Sequence, residues 1–173
     1  MSQEGREDLM SLSLREVLKK FSAGSHKPGS GSAAALLALI SAALSRTVIA
    51  LTPDNSKYSE FKNELAQTTS EIVEIEPVLE KAFLQDSVQF GKVIEARRTR
   101  DKSTSHTDWW MKSHTALSQL DVASNIALDI AKASIRLAEL SISIFDKGFE
   151  SARGDSAVAI LSLIHISEPT RPY

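Results

Sequence analysis

The chain has no cysteine among its 173 residues. That excludes a disulfide framework, a thiolate-bound metal and a cysteine nucleophile together. Glycine and proline are scarce, at seven and five residues, so few positions interrupt regular structure. Aromatic residues make up only 6%, which suits helices better than a strand-rich sandwich. An excess of positive charge is also missing. The net charge is −2, so no broad basic field draws nucleic acid and no nucleic-acid partner is expected. The longest apolar run, Ala33 to Leu44, contains Ser41 and is followed by Ser45-Arg46, short of the roughly 20 residues a membrane span needs. It does not read as a signal peptide, because residues 1–32 carry both acids and bases ahead of it. The expectation is a soluble, cytoplasmic chain with no membrane partner. What is present, 42% hydrophobic and 24% charged residues, is the composition of a folded globular domain.

The hydrophobic period is helical throughout. Leu9, Leu12, Leu14, Val17, Leu18 and Phe21 predict a short amphipathic first helix that stops near Gly24. A second helix from about Ser30 to Leu51 is apolar nearly all round, as the buried centre of a bundle would be. Thr52-Pro53-Asp54-Asn55 ends it. From Ser56 to about Arg98 the core candidates are Phe61, Leu65, Ile72, Ile75, Leu79, Phe83, Val88 and Val93. Pro77 predicts a kink or break near Glu76. Thr99 to Asp108 reads as a polar loop. In the next helix, about Trp109 to Lys147, Ile126, Ile130, Ala133, Leu137, Leu140 and Ile144 recur at bundle-seam spacing, and Gly148 follows as a stop. Asp155 looks like the N-cap of a final helix. The fold expected is all-α, a single bundle of long helices.

Pro28-Gly29-Ser30-Gly31-Ser32 is the most informative stretch. Glycines and serines at a helix start leave backbone N–H groups free at the positive end of the helix dipole, which suits a carboxylate or phosphate. The same residues also serve as an ordinary tight turn. The spacing fits neither a nucleotide P-loop nor a dinucleotide fingerprint.

Three segments in order carry a resemblance. Leu14-Arg-Glu-Val-Leu18 leads to Pro28-Gly-Ser-Gly-Ser-Ala-Ala-Ala-Leu36 and Ala50-Leu51-Thr52. Asp86-Ser-Val-Gln-Phe90 follows with Val93 and Ala96, then Gly148-Phe-Glu-Ser-Ala-Arg-Gly-Asp155 with Val158-Ala159. Together they are similar to the cyclodeaminase/cyclohydrolase family over about Leu12 to Ile160. The chain departs from the family's pattern at Ser30, Phe149 and Gly154, and keeps only Arg98 of an Arg-Leu-Pro-Lys segment.

The resemblance implies a homodimer acting on tetrahydrofolate-type small molecules, by cyclohydrolysis of 5,10-methenyl-tetrahydrofolate or cyclodeamination of 5-formimino-tetrahydrofolate. Cyclohydrolysis leads, because no transferase domain shares the chain. No cofactor is expected beyond the tetrahydrofolate derivative that is the substrate. Either step needs a positioned carboxylate as acid or base. Asp86 is the first catalytic candidate and Asp155 the second, with a solvated helix residue and a plain N-cap as their structural alternatives. Gly29, Ser30, Gly31 and Ser32 are the substrate-binding candidates. Arg98 joins them as a bidentate carboxylate partner, or with Arg97 and Lys102 as a solvated basic loop. Trp109-Trp110 reads as a core or interface anchor, or as a stacking surface for a pterin. The histidines show no metal-binding spacing, and no metal is expected. A contrasting hypothesis is a non-catalytic binding or dimerisation module of the same fold.

Leu161 to Arg171 resembles the conceptual translation of a sequencing-library adapter. The domain is therefore expected to span residues 1–160, lacking its C-terminal helix or helices, with 161–173 a poorly packed and inactivating scar.

Overall fold

In a computed structural model, residues 8–167 are described. Among them the fold is all-α: α1 (Leu14–Phe21), α2 (Ser30–Leu51), α3 (Lys62–Asp101), α4 (His106–Lys147) and α5 (Arg153–Ser167), with short 3₁₀ turns between some of them. These residues group into two compact units. The first gathers the described residues up to Ala33 with Lys81–Leu128; the second gathers Ala34–Glu80 with the described residues from Asp129 on.

In the first unit α1 is started by a capping box. Ser13 Oγ accepts from the Glu16 N–H, and Glu16 Oε2 accepts from the Ser13 N–H at 2.8 Å. The preceding 3₁₀ turn, Leu9–Ser11, ends at the extended Leu12 just before Ser13, so the expected first helix is divided in two. Only Val17 of α1 is buried, while Leu14 and Leu18 are exposed. Two turns of helix bring too few residues round to one face for the whole predicted stripe to be covered. Gly24 has φ +68°, a left-handed conformation that favours glycine. Phe83 and Val93 of α3, Leu9 and Ala116 are buried here. Val88 is exposed, against expectation, because a step of five residues from Phe83 leaves the buried face. Gln89, also buried, donates through Nε2 to the Gln119 carbonyl and side-chain oxygen at 2.9 and 3.0 Å.

The second unit holds a contiguous apolar core. Ala38, Ala42 and Val48 of α2 pack with Leu65, Ile72 and Leu79 of α3, Leu137, Leu140 and Ile144 of α4, and Leu163 of α5. The alanines let helix backbones approach closely, and Ser45 Oγ meets Ser141 Oγ at 2.8 Å in the same interior. The predicted seam on α4 holds from Ile130 on, where Ile130, Ala133, Leu137, Leu140 and Ile144 are all buried, while Ile126 at its start is only half-buried. Gly148 then ends α4, its N–H donating to the Ile144 carbonyl at 2.8 Å.

Several expectations are corrected. Pro77 does not break α3, which runs through it. Its missing N–H frees the carbonyl of Val73, and Val73 and Pro77 are both exposed to water, which can take up that carbonyl. The loop expected at Thr99–Asp108 shrinks to 102–105, because Ser105 caps α4 early: Oγ accepts from the Asp108 N–H at 3.2 Å. Asp155 is not an N-cap; α5 begins at Arg153 and places Asp155 in its first turn, where a carboxylate still complements the helix dipole. Trp109 and Trp110 are exposed rather than core. Among the described residues after Ile160, Leu163 is fully buried while Leu161 and Ile164 are exposed, so this part of the expected scar packs one face onto the core. Pro169 and Pro172 lie outside the described residues. Finally, α2 is long and apolar enough to cross a membrane by length and composition, beyond the shorter run read from the sequence, and 33% of that window is buried.

Candidate functional site

The glycine-serine turn and Asp86 meet within the first unit. Ala33 N–H donates to the Gly29 carbonyl at 3.0 Å, closing the first turn of α2. Asp86, part-buried on α3, points one carboxyl oxygen at that turn. Its Oδ2 accepts from the Ser32 backbone N–H at 2.8 Å and from Ser32 Oγ at 2.9 Å. The anion thus takes a donor from the positive end of a helix. No group among the described residues donates to Oδ1. The N–H groups of Ser30 and Gly31 likewise have no hydrogen-bond partner among them.

Gly31 is required by this contact rather than by backbone freedom. A Cβ there would overlap the Asp86 carboxyl group, coming 2.6 Å from Cγ. Gly91 shows a second close approach of the same segment: a Cβ on it would overlap Cε and Nζ of Lys27. The end of the lysine side chain thus sits against Gly91 of α3, and its ammonium has no ion-pair partner among the described residues.

The structure thus brings Gly31, Ser32 and Asp86 together, with Gly29 and Ser30 at the same helix start. Arg98 stands apart. It lies twelve residues further along α3, about 18 Å along the axis at 1.5 Å per residue, and is exposed. Asp155 belongs to the second unit. A cavity of about 380 Å³ in the first unit has Leu84, Val88, Val122 and Ile126 in its lining, with Lys81 and Lys92. Asp86 is not among its lining residues, being about 100° further round α3 than the lining residue Gln85. Among the described residues no group of three or more His, Cys, Asp or Glu side chains is placed to hold a metal ion.

Two residues here escaped sequence reasoning, Lys27 and Gln89. For Gln89 a signal existed: Ala82, Asp86, Gln89 and Val93 recur at spacings of four, three and four, so two polar residues share a stripe with two buried apolar ones. Lys27 offered none, since only the tertiary approach to Gly91 distinguishes it from a surface lysine.

Fold and site together define an all-α protein with a carboxylate anchored by a glycine-rich helix start. The chain belongs to the formiminotransferase-cyclodeaminase family, whose pattern it matches over residues 13–165. No curated protein matches the sequence. Among solved structures it is similar to a formiminotetrahydrofolate cyclodeaminase from Thermotoga maritima, at 19% identity with a TM-score of 0.74. The match covers 91% of this chain and 73% of that one. At that identity the likeness concerns the fold.

Proposed function

We propose that this protein acts on the one-carbon unit of tetrahydrofolates, as a 5,10-methenyl-tetrahydrofolate cyclohydrolase with Asp86 as the acid–base group. The observation that carries this reading is the hydrogen bonding of Asp86. A backbone N–H can only donate, so Oδ2 is held as an acceptor, which leaves Oδ1 as the oxygen to take a proton from water. The water oxygen bonds to the amidinium carbon as its proton passes to Asp86. The hydroxyl proton of the resulting adduct then moves to N5 as the carbon–N5 bond breaks, giving 10-formyl-tetrahydrofolate. The negative charge of Asp86 also stabilises the methenyl cation before attack. Gly29, Ser30 and Gly31 bound the substrate's approach, the free N–H groups of Ser30 and Gly31 offering donors. Arg98 receives a distal carboxylate of the substrate.

Cyclodeamination of 5-formimino-tetrahydrofolate is the second reading, favoured by the name of the Thermotoga structure. There Asp86 returns a proton to the nitrogen that leaves as ammonia. In either case the protein works as a cytoplasmic homodimer. Exposed Leu37, Ile40 and Leu51 on α2 support an apolar face that a second copy covers.

The test follows methenyl-tetrahydrofolate by absorbance with and without protein, corrected for spontaneous hydrolysis, and 5-formimino-tetrahydrofolate by ammonia release. Acceleration of the first supports the cyclohydrolase, and of the second the cyclodeaminase. Tight folate binding with neither reaction would leave a binding module of the same fold. Sedimentation at micromolar concentration checks the dimer.

A further inference from the structure

We infer that Ser32 is a positioning residue that acts on the reaction only through Asp86, and that Asp86 Oδ1 is the oxygen that moves the proton. The inference rests on the reading of Asp86 as the acid–base group. Ser32 is fully buried, and both of its donors, N–H and Oγ–H, fall on the same oxygen, Oδ2 of Asp86. Neither is left for a ligand, so the hydroxyl that the sequence offered as a substrate contact is already committed.

Other hydroxyls of α2 are committed differently: Ser45 Oγ meets a second hydroxyl, Ser141 Oγ, and two more bond within the helix. Ser41 Oγ donates to the Leu37 carbonyl and Thr47 Oγ1 to the Ala43 carbonyl, each four residues back in its own helix, as hydroxyls in helices commonly do. Ser32 instead reaches a residue 54 positions away on α3. Two bonds from one residue, one of them from the rigid first turn of a helix, fix the direction of the carboxyl group. Gly31 completes the arrangement, because its missing Cβ is the space into which the Asp86 carboxyl group fits. Oδ1 is left with its lone pairs unclaimed by any donor among the described residues. Holding a proton-transferring oxygen in one geometry contributes to the rate without touching the substrate.

The experiment is a double-mutant cycle on the full chain with 5,10-methenyl-tetrahydrofolate. Ser32→Ala should lower kcat about tenfold, the effect of one charge-assisted hydrogen bond, with KM within about twofold. Ser32→Thr keeps a hydroxyl and should recover most of the loss. Ser32→Cys, a weaker donor of similar size, should fall between. In an Asp86→Asn background Ser32→Ala should change turnover no further. A rise in KM with kcat preserved would overturn the inference, as would single losses that multiply in the double variant, since Ser32 would then touch the ligand itself. The cysteine and threonine variants decide the matter should alanine destabilise the fold. If Asp86→Asn retained the parent turnover, the functional reading and the inference would both fall. If Asp86→Asn abolished turnover while all three Ser32 variants matched the parent, only the inference would.

Discussion

The two compact units divide the protein's physical chemistry unevenly. The second packs Leu65, Ile72, Leu79, Leu137, Leu140, Ile144 and Leu163 into one apolar cluster; its buried polar residues are serines and a threonine. The first buries fewer large side chains, chiefly Phe83 and Val93, and places beside them Gln89, Ser32 and the part-buried Asp86. Buried apolar area stabilises by about 25 cal/mol per Å² whatever its geometry, whereas a satisfied polar contact stabilises little and fixes direction. Stability is thus concentrated in the second unit and chemical specification in the first. The sharpest way to break this contrast is to mutate each unit and ask whether stability and turnover respond separately.

The largest effect is expected in the second unit. Leu137 is fully buried in the seam, and Leu137→Ala should cost about 2–5 kcal/mol of unfolding free energy, measured by denaturant titration. Turnover per folded molecule should stay near the parent value. The complementary change is Asp86→Asn, which preserves size and removes the charge and the proton-accepting capacity. Turnover should fall about 10²-fold or more, with the denaturation midpoint little moved and folate binding retained. Turnover within about threefold of the parent would remove Asp86 from the mechanism.

Much of this contrast was legible in the residues themselves. The α4 seam announced its burial because its spacing satisfies one helical face over several turns. Gly148 as a stop and the start of α2 at Ser30 were equally readable, being set by local rules. Where the reading failed, a tertiary or solvent effect overrode the local one. Pro77 is tolerated because water reaches the exposed helix around it, and Leu163 is buried because α5 continues onto the core. The site was half legible. Asp86 and the glycine-serine turn were each singled out, but their contact joins residues 54 positions apart, which no local period encodes. The sequence offered Gly31 as room for a ligand; the structure shows the room taken by the carboxyl group of Asp86.

A pair of glycine substitutions sharpens the comparison at smaller magnitude. In Gly148→Ala the new Cβ would stand 2.6 Å from the Ile144 carbonyl and 3.0 Å from Val48 Cγ1. Backbone and core must give way, so the variant should lose about 1–3 kcal/mol while keeping its turnover. In Gly31→Ala the obstacle is a movable carboxyl group. Stability should change less, and turnover should fall about tenfold as Asp86 is pushed from its donors. Gly31→Val should in addition weaken folate binding, its branched side chain reaching past the carboxylate. Losses of melting temperature and affinity in equal measure at Gly31 would reduce the turn to a structural role.

The smallest effect is electrostatic and belongs to the surface of the second unit. The Lys57 ammonium donates to Glu150 Oε2 at 2.6 Å, with both side chains more than half exposed. The hydrogen bond from Lys57 chiefly, with its charge and that of Arg153, holds the Glu150 carboxyl below its usual value, and the same bond raises the Lys57 ammonium. A carboxyl group depressed in the folded state adds stability that is present above its unfolded value and lost as pH falls through the folded one. The raised ammonium adds stability that is present below the unfolded lysine value and lost as pH rises through the folded one. The pair should therefore contribute across neutral pH and fade on either side, in acid as Glu150 protonates and in strong base as Lys57 loses its proton. Exposure and salt both screen it. Comparing the melting temperatures of the parent and Glu150→Gln should give a small difference near pH 7 that vanishes in strong acid and shrinks in molar salt. A difference that grew toward low pH would have the wrong sign for a depressed carboxyl and would mean that Glu150 acts by some contact other than Lys57.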